Sequence, residues 1–216
     1  MRYSVVLFDL DGTLLDTLDD LTAGINFALG QQGLPACTRA QAGTYIGNGA
    51  VAMLSRAAGE GLQSADLSRL VEDFKRFYGE HCQDKTQPYD GVIEALKALR
   101  KAGVKVGVVS NKVDFAVKLL CKQYFGELVD VAIGENEGAG VRKKPAPDSV
   151  LAAMRAFGAN PQDTVYVGDS EVDIQTAKNA GIACISVTWG LKDRAFLMEN
   201  GAKRLANSTE ELMRFL

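Results

Sequence analysis

Short runs of apolar residues that stop abruptly at polar ones recur along the chain. The first covers residues 5–8, and similar runs cover 104–109, 129–133, 164–167 and 182–187. Runs of this length and boundary predict buried β-strands. From residue 92 onward they alternate with segments whose apolar residues recur every three or four positions, which predicts helices between the strands. This alternation predicts an α/β fold with a parallel, doubly wound sheet.

The stretch between the first and second strands has a different pattern. From residue 16 to 85 the apolar positions keep the helical spacing, and no segment is a convincing strand. Thr38 followed by Gln41 predicts a capping box at the start of a short helix. Ser64 is predicted to cap a longer one. This stretch is therefore predicted to form a small helical bundle.

The position of the helical stretch predicts the domain organisation. It follows the first strand and precedes the rest of the α/β pattern, so the simplest account is an insertion into one sheet. We predict an α/β core domain of residues 1–15 and 86–216 and an inserted α-helical cap domain of residues 16–85. Two chain crossings between the domains would permit hinge motion over a site at the strand ends.

Composition limits the classes of protein that the chain can belong to. The 216 residues are 47% hydrophobic and 24% charged, which is ordinary for a soluble globular protein. The net charge of −3 does not favour an extended nucleic-acid-binding surface. No apolar run approaches the roughly 20 residues needed to cross a bilayer. Four scattered cysteines without a CxxC pair predict reduced structural thiols and a cytoplasmic location.

Polar side chains follow three of the predicted strands directly. Asp9 and Asp11 come after the first, Ser110 and Asn111 after the second, and Asp169 after the fourth. Parallel strands would bring these corners to one edge of the sheet, where open α/β sheets bind their ligands. Grouped carboxylates repel one another, and a hard divalent cation such as Mg²⁺ would offset that repulsion. Alternatively, one acid stays protonated, or the acids are solvated residues of strand corners.

Two further segments have both a chemical and a plain interpretation. Lys144 supplies a cation that can approach an anion bound beside the acids, but the basic run of residues 142–144 is also typical of a solvated turn. Ser170 and Asp173 fit the N-cap and N3 positions of a helix. Capping does not explain why Asp169 directly follows an apolar strand, and capping and metal binding are compatible in this segment.

Four segments in order along the chain resemble the motifs of one family. Asp9-Leu10-Asp11-Gly12-Thr13-Leu14 resembles the first motif (DxDGT[LV]) of the haloacid dehalogenase superfamily, most of whose members are phosphatases. Ser110 resembles its second motif, Lys144-Pro145 its third, and the segment 168–173 its fourth (GDSxxD). The helical insert lies where subclass I members carry a cap. The resemblance implies a haloacid dehalogenase-like Rossmannoid core, and an aspartate at position 11 is typical of the phosphotransferases rather than the dehalogenases.

The resemblance also implies roles for individual residues. Asp9 would attack phosphorus and form an aspartyl phosphate, and Asp11 would protonate the leaving oxygen and then deprotonate the attacking water. Mg²⁺ would be held by the carboxylates of Asp9 and Asp169 and by the backbone carbonyl of Asp11. Asp173 would be an outer or water-mediated partner. The groups implied to bind the phosphate are Thr13, Ser110, Asn111 and Lys144.

The segment Gly47-Asn48-Gly49 is the candidate for substrate choice. Its backbone N–H groups, near a predicted helix start, could hold a small anion. The alternative is a helix break with no ligand. The segment resembles the cap loop of phosphoglycolate phosphatases, which meets a substrate carboxylate. The segment Val187-Thr188-Trp189-Gly190 is also typical of that branch, although packing accounts equally well for Trp189.

These observations predict a Mg²⁺-dependent phosphatase of a small phosphate monoester, with 2-phosphoglycolate as the first candidate. Alternative substrates are pyrophosphate, a sugar phosphate or a nucleotide. A phosphomutase is a rival within the family, and a non-catalytic phosphate-binding or scaffold protein is a rival of another class. We expect a small phosphorylated substrate and no nucleic-acid or membrane partner, and the sequence leaves the oligomeric state open.

Overall fold

The computed structural model describes residues 1–59, 61–136, 138 and 140–216. The chain divides into two compact units. The α/β unit comprises Met1–Leu15 and Pro88–Leu216, and the helical unit comprises Asp16–Gln87. The second crossing therefore lies two residues beyond the position predicted from the sequence.

A parallel sheet of six strands forms the centre of the α/β unit. Its strands are β1 (Val5–Phe8), β4 (Lys105–Val113), β5 (Val131–Glu135), β6 (Thr164–Gly168), β7 (Ala183–Val187) and β8 (Leu205–Ala206). The short strands β2 (Leu15–Asp16) and β3 (Gln87–Pro88) pair with each other. The sheet order is β5-β4-β1-β6-β7-β8, and neighbouring strands are parallel. The predicted parallel α/β architecture is confirmed.

The central position of β1 decides where the candidate site lies. β4 and β6 flank β1, and Phe8 at its end is level with Val108 and Val167. The chain continues to one side of β1 through β4 and β5 and later to the other side through β6, β7 and β8. Ligands of open α/β sheets bind at such a reversal of strand order. The polar residues after β1 and β6 and those near the end of β4 are therefore neighbours.

Helices connect and cover these strands, with apolar side chains between the layers. They are α5 (Val92–Lys101), α6 (Asp114–Tyr124), α7 (Asp148–Phe157), α8 (Glu171–Ala180), α9 (Arg194–Glu199) and α10 (Thr209–Phe215). One core cluster joins Val5, Leu7, Val109, Val150, Ala153, Met154, Tyr166, Ala177 and Ala180. All four residues of β1 are buried, which explains its continuous apolar run.

The helical unit contains α1 (Leu18–Gln31), α2 (Arg39–Tyr45), α3 (Gly49–Ala58) and α4 (Ser64–His81). The predicted capping box is confirmed, because Gln41 N donates to Thr38 Oγ1 and Thr38 N donates to Gln41 Oε1. The predicted cap at Ser64 is wrong: Ser64 is the first helical residue, and Gln63 occupies the N-cap without a side-chain bond. No helix among the described residues is both long enough and apolar enough to cross a membrane.

Candidate active site

The residues that follow β1 and β6 meet at the carboxyl edge of the sheet. Asp9 is buried directly after β1, and its backbone N–H donates to Val167 O of β6 over 2.9 Å. Asp169 follows β6 and is buried as well. Carboxylate oxygens of Asp9, Asp169 and Asp173 lie within 4.8 Å of one another. These three residues are called the acidic cluster below.

Strand β4 brings three consecutive polar residues to the same edge. Its register against β5 shifts between Val109 and Val113, so that four steps along β4 match two along β5. Such a shift interrupts the regular alternation of side chains between the two faces. Ser110, Asn111 and Lys112 are all buried here. The sequence placed Ser110 and Asn111 after the end of the strand, and the structure corrects this by placing both inside β4.

Lys144 is the cation of the acidic cluster. Its Nζ lies 2.7 Å from Asp173 Oδ1 and 3.0 Å from Asp9 Oδ1, and it donates to Tyr166 OH over 3.0 Å. Asn111 holds the Lys144 backbone from both sides, accepting from Lys144 N over 2.7 Å and donating to Lys144 O over 3.0 Å. Since the Lys144 side chain is only 2% exposed, the alternative of a solvated basic turn is wrong for this residue.

Burial and neighbouring charges perturb this group of side chains. Burial raises the pKa of Asp9 to about 6, although the Lys144 ammonium opposes that rise. Burial, together with the charges of Asp173 and Asp9, raises the pKa of Asp169 well above its usual value. Burial disfavours the Lys144 ammonium, but the carboxylates of Asp173 and Asp9 outweigh it and raise the pKa of Lys144. Clustered groups of this kind are typical of functional sites.

The loop after β7 contacts the segments that follow β1 and β6. Trp189 Nε1 donates to Thr13 O over 3.0 Å, and Leu191 N donates to Asp169 Oδ2 over 2.7 Å. Thr13 Oγ1 also donates to Asp169 Oδ1, over 3.1 Å. A Cβ atom at Gly190 would overlap both the Asp169 carboxylate and the backbone oxygen of Gly12. Only glycine permits this close approach.

Asp11 has a cationic partner of its own. Lys112 Nζ donates to Asp11 Oδ1 over 2.8 Å, and the two side chains are 4% and 12% exposed. The Asp11 carboxylate is not part of the acidic cluster. This arrangement agrees with the implied use of its backbone carbonyl, rather than its carboxylate, toward a metal ion.

The acidic cluster fits a hard divalent cation. Asp9 Oδ1 is buried and pairs with the Lys144 ammonium at 3.0 Å, but it accepts no hydrogen bond from the described residues. Such orphaned buried oxygens are rare in folded proteins, and a cation bound among the three carboxylates would satisfy it. Asp173 accepts from Lys144 at one oxygen and from Ser170 at the other, and Asp169 likewise accepts from Thr13 Oγ1 and Leu191 N.

The structure brings most of the predicted site residues to one edge of the α/β unit. These are Asp9, Asp11, Thr13, Ser110, Asn111, Lys144, Asp169 and Asp173. Gly47, Asn48 and Gly49 belong to the helical unit. Asn48 stands at the N-cap of α3 without a side-chain capping bond. The role of these three residues in substrate choice stays a prediction.

Three contributors were missed by the sequence analysis. Lys112 was passed over although it directly follows Ser110 and Asn111, and its position in the chain was the only available signal. Tyr166 resembles one more apolar strand residue in the pattern, but its hydroxyl donates to Val109 O and accepts from Lys144. The backbone N–H of Leu191, which binds Asp169, carries no signal in the side-chain pattern.

Comparison with known proteins gives concordant matches. A family model described as haloacid dehalogenase-like hydrolase matches residues 6–187. A curated N-acetylmuramic acid 6-phosphate phosphatase of Pseudomonas aeruginosa is 36% identical over 191 residues, which cover 88% of this chain and 84% of the relative. A phosphoglycolate phosphatase of Pseudomonas putida is 35% identical over 192 residues, which cover 86% of this chain and 70% of that relative.

A solved structure shares the whole fold. The crystal structure of a candidate phosphoglycolate phosphatase from Lactobacillus delbrueckii subsp. bulgaricus superposes with a TM-score of 0.94 at 36% identity. The alignment covers 100% of this chain and 98% of that protein.

Proposed function

Because the chain belongs to the haloacid dehalogenase-like hydrolases, we propose that it is a Mg²⁺-dependent phosphatase that hydrolyses small phosphate monoesters through an aspartyl phosphate. The observation that carries this proposal is the buried Asp9 Oδ1, which pairs with the Lys144 ammonium at 3.0 Å but accepts no hydrogen bond from the described residues. Two further carboxylates and a lysine surround it. Unaided phosphate monoesters hydrolyse so slowly that an enzyme must remove on the order of 20 kcal/mol of barrier.

Asp9 is the proposed nucleophile. One of its carboxylate oxygens forms the new bond to phosphorus while the bond from phosphorus to the ester oxygen breaks. This covalent step divides a difficult displacement into two easier ones. The position of Asp9 directly after the central strand, anchored by its backbone hydrogen bond to Val167 O, keeps the attacking group on a rigid element.

Asp11 is the proposed acid and base. In the first step it gives its proton to the departing ester oxygen, which leaves as an alcohol. In the second step its carboxylate takes a proton from the water that attacks the aspartyl phosphate, and Asp9 and inorganic phosphate are released. Positioned acid–base groups typically contribute about 10²- to 10⁴-fold to the rate.

The remaining residues bind and neutralise the phosphoryl group. Lys144 supplies positive charge beside Asp9, and the Ser110, Asn111 and Thr13 side chains lie at the same edge of the sheet. We propose that Asp9, Asp169 and the backbone carbonyl of Asp11 hold Mg²⁺, with Asp173 as an outer partner. When bound, Mg²⁺ would offset the negative charge of the phosphoryl oxygens.

We propose 2-phosphoglycolate as the first substrate. A relative at 35% identity is a phosphoglycolate phosphatase, and we propose that the start of α3, at Asn48 and Gly49, binds the substrate carboxylate. A second candidate is a sugar-acid phosphate, because a relative at 36% identity is an N-acetylmuramic acid 6-phosphate phosphatase. Both names denote phosphate esters of an acid, so the shared chemistry is a phosphomonoester with a nearby carboxylate.

The test is phosphate release from a substrate panel, measured with Mg²⁺ and with a chelator. The panel contains 2-phosphoglycolate and ethyl phosphate, which form a matched pair with and without a carboxylate. N-acetylmuramic acid 6-phosphate and glucose 6-phosphate form a second comparison, and pyrophosphate and a nucleoside monophosphate complete the set. A carboxylate bound by a charge-assisted contact should favour the acid of the first pair by about 10- to 100-fold in kcat/KM.

The outcomes separate the parts of the proposal. Preference for 2-phosphoglycolate that disappears with chelator supports both chemistry and substrate. Equal weak activity on both members of each pair would support phosphatase activity and contradict the proposal that the substrate carries a carboxylate. No release from any ester with Mg²⁺ present favours the phosphomutase or the non-catalytic alternative, and sugar bisphosphate exchange then distinguishes those two.

A further inference from the structure

We propose that Lys112 is a positioning residue that holds the carboxyl group of Asp11 in place for proton transfer. This inference rests on the acid–base role proposed above for Asp11. Lys112 Nζ lies 2.8 Å from Asp11 Oδ1 in hydrogen-bond geometry, and both side chains are largely buried. The pair joins residues 101 positions apart, so it ties the end of β4 to the corner after β1.

The two buried lysines of the site serve different acids. Lys144 contacts Asp9 and Asp173, whereas Lys112 contacts Asp11, whose carboxylate lies outside the acidic cluster. A lysine is seldom buried to this extent unless it is paired. The contact with Asp11 assigns Lys112 to the proton-transferring group.

Strand β4 gives this lysine a defined position. The register shift against β5 lies between Val109 and Val113 and includes Lys112. Within it, Lys112 N donates to Ser110 Oγ over 3.4 Å. Groups carried by a supported strand are held more accurately than groups on a loop. The Asp11 carboxyl group lies in the segment after β1, and its contact with a fixed partner on β4 restricts its position.

An ammonium group suits both steps of the proposed reaction. It can donate to a carboxylate oxygen and also to the carbonyl oxygen of the protonated acid. Fixing one oxygen of Asp11 orients the other relative to the ester oxygen in the first step and to water in the second. A displacement of about 1 Å in such a group can reduce the rate by about 100-fold.

The test uses two esters whose leaving groups differ in their need for an acid. An alkyl phosphate such as ethyl phosphate releases a strongly basic alkoxide unless it is protonated, whereas 4-nitrophenyl phosphate releases a stable phenolate. The measured quantity is kcat/KM, which reports the steps up to transfer of the phosphoryl group. Lys112→Met should lower kcat/KM for ethyl phosphate about 100-fold and for 4-nitrophenyl phosphate about 10-fold or less.

Lys105→Met is the matched control. Lys105 lies on the same strand, is 59% exposed and pairs with Asp130. The Lys105→Met variant should have kcat/KM values for both esters within about twofold of wild type. A lysine that served only stability would reduce activity on the two esters by the same factor, so equal losses in Lys112→Met overturn the proposal.

A double variant tests whether Lys112 acts through Asp11. Asp11→Asn should itself lower kcat/KM more for the alkyl ester than for the aryl ester. Adding Lys112→Met should then cause little further loss of kcat/KM. If Asp11→Asn reduces both esters equally, the acid role proposed for Asp11 fails, and the positioning role fails with it. If Asp11→Asn lowers kcat/KM more for the alkyl ester than for the aryl ester and Lys112→Met lowers both equally, only the positioning role is overturned.

Two measurements distinguish positioning of Asp11 from a loss of folding and from binding of the substrate carboxylate. Lys112→Arg keeps a charged donor, and it should fold and recover part of the alkyl-ester activity even if Lys112→Met is unstable. A larger KM for 2-phosphoglycolate with an unchanged rate on ethyl phosphate would assign Lys112 to the substrate carboxylate instead. That result would overturn the proposal.

Discussion

Two buried aspartates, one in each unit, have opposite hydrogen-bonding environments. In the helical unit, Asp20 accepts from Lys85 N over 3.0 Å, from Thr86 N over 2.9 Å and from Thr86 Oγ1 over 2.8 Å. In the α/β unit, Asp9 Oδ1 is buried and accepts no hydrogen bond from the described residues, and its charged partner is Lys144 at 3.0 Å. Asp20 is only 3% exposed and Asp9 only 8%, so burial alone does not separate them.

The hydrogen-bond donors around each carboxylate distinguish a structural acid from a functional one. Three donors around Asp20 repay the loss of its hydration, and the result is a link between the start of α1 and the segment after α4. Asp9 Oδ1 has no such set of donors, and the Lys144 ammonium 3.0 Å away offsets its burial only in part, since burial still raises the pKa of Asp9 to about 6. A buried carboxylate that is compensated only in part persists where a ligand completes its environment, so we infer a structural role for Asp20 and a chemical one for Asp9.

The largest expected effect comes from Asp9→Asn. Removal of the proposed nucleophile should reduce kcat for 2-phosphoglycolate on the order of 10⁴-fold or more. The substitution removes one negative charge from a cluster of like charges, which relieves repulsion between them. The melting temperature measured without metal should therefore stay within a few degrees of wild type. Near-native turnover in this variant would rule out the covalent mechanism.

The matched substitution Asp20→Asn should reverse that pattern. Loss of the charged acceptor should lower the free energy of unfolding by about 2–3 kcal/mol, because hydrogen bonds to an ionised group are each worth about 1.5–3 kcal/mol. Activity per folded molecule should remain within a few-fold of wild type. Urea denaturation measures the first quantity and steady-state kinetics on freshly folded protein the second. Unchanged stability would contradict the structural role assigned to Asp20.

Mg²⁺ should stabilise the protein through the acidic cluster alone. A ligand that binds only the folded state at about 100 times its Kd adds about 2.7 kcal/mol, which should raise the melting temperature by about 5–10 °C. Asp20→Asn should keep this shift and Asp9→Asn should lose most of it. Thermal scans with Mg²⁺ and with chelator make the comparison, and an equal shift in both variants would exclude Asp9 as a ligand.

The smallest expected effect is a local change in cysteine reactivity. Cys82 is buried, and its backbone oxygen lies 3.0 Å from Thr86 Oγ1. Burial and the charge of Asp173 raise the pKa of Cys184 to about 12, so at pH 8 this group is the unreactive thiol. Labelling with a disulfide reagent, followed by peptide mass spectrometry, should show faster reaction at Cys82 in Asp20→Asn and no change at Cys184. Equal acceleration at both thiols would indicate global rather than local destabilisation.

Much of the fold and most of the candidate site could be predicted from local pattern. The strand before Asp9 and the strand before Asp169 were placed correctly because each is a short apolar run that ends at a carboxylate. Strand β4 was predicted too short because its last residues are polar and are buried only through the register shift against β5. The helix α9 and the strand β8 were missed because short elements carry little periodic signal.

The order of elements, the parallel architecture and the identity of the acids at the strand ends follow from the amino-acid sequence alone. Those features depend on periodicity within a segment and on the residue that directly follows it. The contacts of Lys144 with Asp9 and Asp173, and of Lys112 with Asp11, depend on the three-dimensional fold. These contacts join residues far apart in the chain, and strand order and register, rather than local propensity, decide which of them can form.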